Sequence, residues 1–141
     1  MLHTYDPAQV TIIFAGIPIS GKGEATFLGA ERNEDAWALQ VGADGEATRA
    51  KSNNRSGRVT ITLIQSSLAN DALSAIANVD ERTPGGDGIG PLLIKDLSGR
   101  TLIAAESAWI VKQAPVEFAR EASEREWMIE TDNLEIFVGG N

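Results

Sequence analysis

Apolar and polar positions alternate with a period of two along most of this chain, and that period marks β-strands. Val10, Ile12 and Phe14 fall on one side of Val10–Phe14, with Thr11 and Ile13 on the other. Arg58–Ile64 repeats the pattern most clearly: Val59, Ile61 and Leu63 share one face, Thr60 and Thr62 the other. Its β-branched residues suit a pleated surface. Ala36–Val41 alternates through Trp37, Leu39 and Val41, and Gly23–Arg32 sets Ala25 beside Phe27 in a further predicted strand. Leu92–Asp96 and Thr101–Lys112 read as a hairpin turning at Ser98-Gly99, with Trp109 on the face of Ile103, Ala105 and Val111. Pro115 interrupts the pattern. Arg125–Thr131 and Leu134–Val138 read as a final hairpin around Asp132-Asn133, with Trp127, Ile129 and Thr131 on one face.

One segment follows the helical period instead. Ala69, Ala72, Leu73 and Ile76 form an amphipathic face within Leu68–Val79. Ser67 precedes it as a side-chain cap, and Asp71 lies near the positive end of the helix dipole. The Pro84-Gly85-Gly86-Asp87-Gly88 loop ends it. Gly42–Gly57 is the least apolar stretch and is predicted to be a long hairpin extension or exposed loop. Many short strands and one helix predict a mainly β fold. The expected form is an antiparallel β-sandwich or barrel with one flanking α-helix and a long hairpin loop. A length of 141 residues fits a single domain over 1–141.

Charge narrows the function. Twelve basic residues against twenty acidic ones give a net charge of −8, which lacks the basic footprint of a nucleic-acid binder. It suits solubility, or repulsion of a passing polyanion. There is no cysteine, so disulfides and thiolate metal sites are excluded, and a reducing cytosol is the favoured place of synthesis. Met1–Gln9 is polar and lacks a basic start, and no apolar run approaches the ~20 residues of a membrane helix. The chain is expected to be soluble when made, with no membrane partner.

Gly16-Ile-Pro-Ile-Ser-Gly21-Lys22 matches the G-x-x-x-x-G-K core of a phosphate-binding loop and follows a strand. The motif requires Ser or Thr after the lysine to hold magnesium, and here the residue is Gly23. It must also open a helix, and Thr26, Phe27 and Gly29 make Gly23–Arg32 a poor one. A small nucleotide-binding protein using Gly16–Lys22 is therefore the alternative function, and a β-turn the better reading. His3 is the only histidine and lies in a terminal segment, so nucleophilic triads lack a base. The Gly85–Gly90 run is weak as an ion cradle. Trp37, Trp109 and Trp127 read as core residues more readily than as a sugar platform. The carboxylates read as a solvated acidic surface. No catalytic, cofactor-binding or metal-binding residue is assigned, and no cofactor is expected.

Three stretches carry a further pattern. Tyr5-Asp6-Pro7 leads into the Val10–Phe14 strand and then Gly16 and Gly21. Gly42-Ala-Asp-Gly-Glu-Ala-Thr-Arg-Ala-Lys-Ser-Asn-Asn is followed by Gly57-Arg-Val-Thr-Ile-Thr-Leu. Gln65-Ser-Ser-Leu-Ala-Asn-Asp enters the helix. In these stretches, and in the order of elements along nearly its whole length, the chain resembles the tail tube proteins of contractile-tailed bacteriophages. The resemblance implies a non-enzymatic virion subunit, assembled in the host cytoplasm, whose copies form hexameric rings. The rings stack into a hollow tube inside a contractile sheath, and viral DNA passes through without specific binding. Tail sheath, baseplate and tail terminator proteins are the other implied partners.

The same resemblance makes 42–57 the loop that reaches the neighbouring ring. Asp44, Glu46, Arg49, Lys51, Asn53, Asn54, Arg55 and Arg58 are then its candidate contact residues. The basic ones are expected to meet acidic side chains of the next ring, around Glu31–Asp35 or Glu121–Glu126. Thr60 and Thr62, opposite the core face of their strand, become lumen candidates, and an acidic lumen would repel DNA phosphates.

Overall fold

The computed structural model describes all residues, Met1–Asn141. A 3-10 turn at Pro7–Gln9 leads into ten strands and one helix: β1 Val10–Phe14, β2 Ile17–Pro18, β3 Leu28–Arg32, β4 Trp37–Val41, β5 Ala47–Lys51, β6 Gly57–Ile64, α1 Ala69–Arg82, β7 Gly90–Asp96, β8 Leu102–Lys112, β9 Glu124–Thr131 and β10 Glu135–Phe137. The protein is mainly β. Every strand pairing is antiparallel, in an eight-stranded sheet of order β2-β1-β7-β8-β9-β6-β3 with β10 on β8, and a separate β4–β5 hairpin.

The large sheet folds over on itself. Its two halves supply one hydrophobic cluster: Ile12, Phe14, Leu92 and Ile94 from one, Val59, Ile61, Leu63 and Ile129 from the other. Strand β8 belongs to both halves. Between the pairs Gly90–Ala108 and Leu92–Ala105 it takes one residue more than β7, a β-bulge. The extra residue inverts the faces: Ile103 and Ala105 point inward before it, Ala108 after it. The predicted common face of Trp109 with Ile103 and Ala105 is therefore broken, and Trp109 is half-buried outside the core.

Helix α1 closes the core with Ala69, Leu73 and Ala77. The N-cap position falls on Leu68, which has no capping side-chain bond, and Ser67 acts from one residue earlier: its Oγ accepts the Ala69 N–H at 3.2 Å. Trp127, a core residue as expected, donates its indole N–H to Asn70 on the helix at 2.9 Å. The helix runs three residues past the predicted Val79, to Arg82, and ends before Pro84 as expected.

Two predicted strands differ. Regular pairing covers only Leu28–Arg32 of Gly23–Arg32, because Thr62 bonds to both Gly23 and Phe27 and the residues between them loop out. The last strand does not turn back on β9. Instead β10 crosses to β8, pairing Ile136 with Ile103. Leu134, fully buried, anchors that crossing beside Gly57.

Candidate functional site

The long polar stretch forms half of a projecting hairpin. Strands β4 and β5 pair from Trp37–Lys51 to Val41–Ala47, and all ten residues are exposed. At ~3.3 Å per residue the arm spans roughly 17 Å. Its tip is set by Gly45 at a φ of 91° and by Asp44, whose Oδ1 accepts the Glu46 N–H at 3.2 Å. Its base is tied by Ser52 N–H to Ala36 O at 2.8 Å and Ser52 Oγ to Glu34 at 3.0 Å.

Cross-strand register puts Trp37, Leu39 and Val41 on the same face as Lys51, Arg49 and Ala47. The opposite face carries only Ala38, Gln40, Thr48 and Ala50. The Arg49 guanidinium stacks 3.7 Å from the centre of the Trp37 ring. Trp37 nevertheless remains 46% exposed, Leu39 70% and Val41 62%. The expectation that Trp37 is a core residue is thus overturned: its strand has no partner in the body of the protein. Sequence reasoning singled out the charges of this arm and named its apolar stripe, but as a strand of the body. The alternation in 36–41, running directly into a glycine-punctuated polar stretch, was the available signal.

The other loop candidates lie apart from the arm. Asn54 Oδ1 accepts from the Ser56 N–H and hydroxyl at 3.0 and 2.6 Å, shaping the return to β6. Asn53 is exposed. Arg55 Nε donates to Asn133 Oδ1 at 3.2 Å, and its carbonyl accepts from Leu134. Arg58 lies on the sheet and pairs with Glu130 at 3.5 Å.

Arg58 belongs to a second surface, the non-core face of β3, β6 and β9. Thr60 stands in register with Met128, Thr62 with Glu126, and Arg58 with both Glu130 and Glu31. Ile64 is paired with Glu124. Four glutamates thus face outward with one arginine among them. Thr60 and Thr62 are half-buried in this acidic face, while Val59, Ile61 and Leu63 on the opposite side are fully buried.

The Gly16–Lys22 segment has no phosphate-binding geometry. Ala15 and Gly16, with φ of 51° and 80°, make the turn between β1 and β2. Lys22 bridges to Leu63, and the Gly23 N–H is spent on Thr62 O at 3.0 Å. No helix opens there. The Gly85–Gly88 loop is filled by a carboxylate of the chain itself: Asp80 Oδ1 accepts the Asp87 and Gly88 N–H groups at 3.0 and 2.9 Å.

Comparison with known proteins places this architecture. The family model described as Bacteriophage PhiTE tail tube protein matches residues 9–139. The "Structural protein ORF10" of Pseudomonas phage KPP10 is 35% identical over 144 residues, covering 98% of this chain and 83% of that protein. Among solved structures, the sheath/tube terminator of an extracellular contractile injection system, PVC, in the extended state superposes with a TM-score of 0.61. That match has 8% identity and covers 97% of this chain and 99% of the other. The anti-feeding prophage cap, a tube terminating cap, gives 0.59 at 7% identity, with 97% and 93% covered. At such identities these two show a shared fold alone, whereas the family match and the phage relative span nearly the whole sequence. The chain belongs to the PhiTE-type phage tail tube family and is a structural protein of a phage tail.

Proposed function

We propose that this chain is the repeating tube subunit, one domain over 1–141 whose copies form hexameric rings that stack into a hollow tube. The observation that carries the reading is the β4–β5 arm. A two-stranded hairpin is marginal in water by itself, and this one holds a tryptophan, a leucine and a valine away from the body. Such an arm fits a neighbouring ring, with Arg49 and Lys51 meeting carboxylates there. The acidic face of β3, β6 and β9 fits a lumen: glutamates repel DNA phosphates, and Thr60 and Thr62 give DNA little to adhere to. The role is structural and non-enzymatic, in a virion tail assembled in the host cytoplasm with sheath, baseplate and terminator as partners.

Negative-stain electron microscopy across a concentration series tests this. Hollow sixfold rings or tubes are expected from the wild type. The Arg49→Glu/Lys51→Glu variant should stay folded and fail to grow tubes, because carboxylates would then meet carboxylates. Normal tubes from that variant remove the arm from the mechanism. Rings that never stack fit a terminator, the role of the two structural neighbours. Monomers at every concentration together with saturable nucleotide binding overturn the reading.

A further inference from the structure

Resting on the tube reading, we infer that the β4–β5 arm is received on a second copy by the surface between α1 and residues 113–123. Apolar contact supplies most of that attachment. Two acidic regions offer carboxylates to Arg49 and Lys51, and the structure discriminates between them. The 31–35 region lies at the base of the arm itself. Glu34 there is bonded to Ser52 at 3.0 Å, and Glu31 stands in register with Arg58. No large apolar side chain is exposed in that region. It can meet the charges but not the Trp37 stripe.

The 113–123 segment offers both features. Val116 is 63% exposed and Phe118 84%. Below them runs a groove of about 390 Å³ lined by Asn70, Ser74, Ala114, Val116 and Phe118. Glu117 and Glu121 flank Phe118 and are exposed; of the basic residues here, Arg120 lies in the segment, and Arg125 lines the groove but is buried, its guanidinium spent on oxygens of Ser123, Glu124 and Glu117. The segment is also held in shape before any partner arrives: Arg125 Nη2 donates to Glu117 O at 3.2 Å, and Ser123 N–H to Gln65 at 3.0 Å. An apolar stripe edged by two cations thus meets an apolar patch edged by two carboxylates. The complementarity selects a second copy of this chain as the occupant. Within an interface such aromatic anchors carry most of the affinity, and rim charges set register.

The absence of cysteine makes the test direct. Leu39→Cys with Phe118→Cys is oxidised mildly under conditions where the wild type forms tubes, beside a control pair, Leu39→Cys with Leu93→Cys. A ladder of covalent multimers on a non-reducing gel is expected from the first pair only. Trp37→Ala should raise the concentration needed for tube growth ~10-fold or more. A crosslinked monomer, showing the arm on its own body, overturns the inference. So does a ladder from the control pair alone, or wild-type tubes with no 39–118 crosslink. In those cases the tube reading stands, whereas a wild type that forms neither rings nor tubes removes both.

Discussion

Arg125 is the charged residue most deeply committed to the body of the protein, and its replacement tests how the 113–123 segment is held. It lies on the core side of β9, two residues before Trp127, and is buried. Its guanidinium donates to Ser123 Oγ at 2.7 Å, Glu124 O at 3.2 Å and Glu117 O at 3.2 Å, and lies 5.8 Å from the Phe118 ring centre. Arg125→Met keeps the length and apolar stem and removes all three bonds. A hydrogen bond from a charged group contributes about 1.5–3 kcal/mol. The three do not add, because the exposed partners take water once the segment loosens and the desolvation cost of the buried charge disappears. A net loss of about 2 kcal/mol follows. At an unfolding entropy of about 2.1 cal/mol/K per residue, that lowers Tm by roughly 7 °C. Thermal unfolding read by tryptophan fluorescence gives the magnitude. Limited trypsin digestion gives the location, since Arg120 lies in the released segment and cleavage after it should accelerate. An unchanged Tm with unchanged cleavage at Arg120 would refute the bracing role.

Asp80→Ala removes the acceptor of the Asp87 and Gly88 N–H groups; a loss of about 1–2 kcal/mol is expected in urea unfolding, with faster hydrogen exchange at those two amides. Ser67→Ala removes the acceptor of the Ala69 N–H and a donor to the Ser20 carbonyl, which should cost ~1–2 kcal/mol, read by the same titration, whereas Ser66→Ala should cost almost nothing. Lys22→Ala removes only a long contact to the Pro7 carbonyl at 3.4 Å and a cation–π contact 5.5 Å from the Phe27 ring; stability should fall by at most ~1 kcal/mol, and calorimetry with Mg-ATP should give no saturable heat for either protein.

Local periodicity carried much of the architecture. In β1, β6 and β9 the alternating residues named from the pattern are those that became core, from Val10, Ile12 and Phe14 to Trp127, Ile129 and Thr131. Strand side chains alternate faces by geometry, so an apolar period of two states which residues share a face, and in these three strands that face is covered. The helix and the Ser67 bond at its start were legible for the same reason, since such a bond depends on residues two or three apart. Of the candidate surfaces, the sequence named Arg49 and Lys51 on the arm and set Thr60 and Thr62 opposite the core face. What needed the tertiary structure was every feature resting on distant register. The bulge in β8 moved Trp109 out of the core series because β7 fixes where the extra residue goes. Strand β10 left β9 for β8 because Leu134 is buried beside Gly57, a residue far away in the chain. Trp37, Leu39 and Val41 have the same alternation as a core strand, yet stand in solvent because β4 pairs only with β5. The sequence by itself determined which residues must leave water. Only the fold decided which of them find cover within the chain and which stay exposed, because cover depends on pairing across the whole sheet and alternation is local.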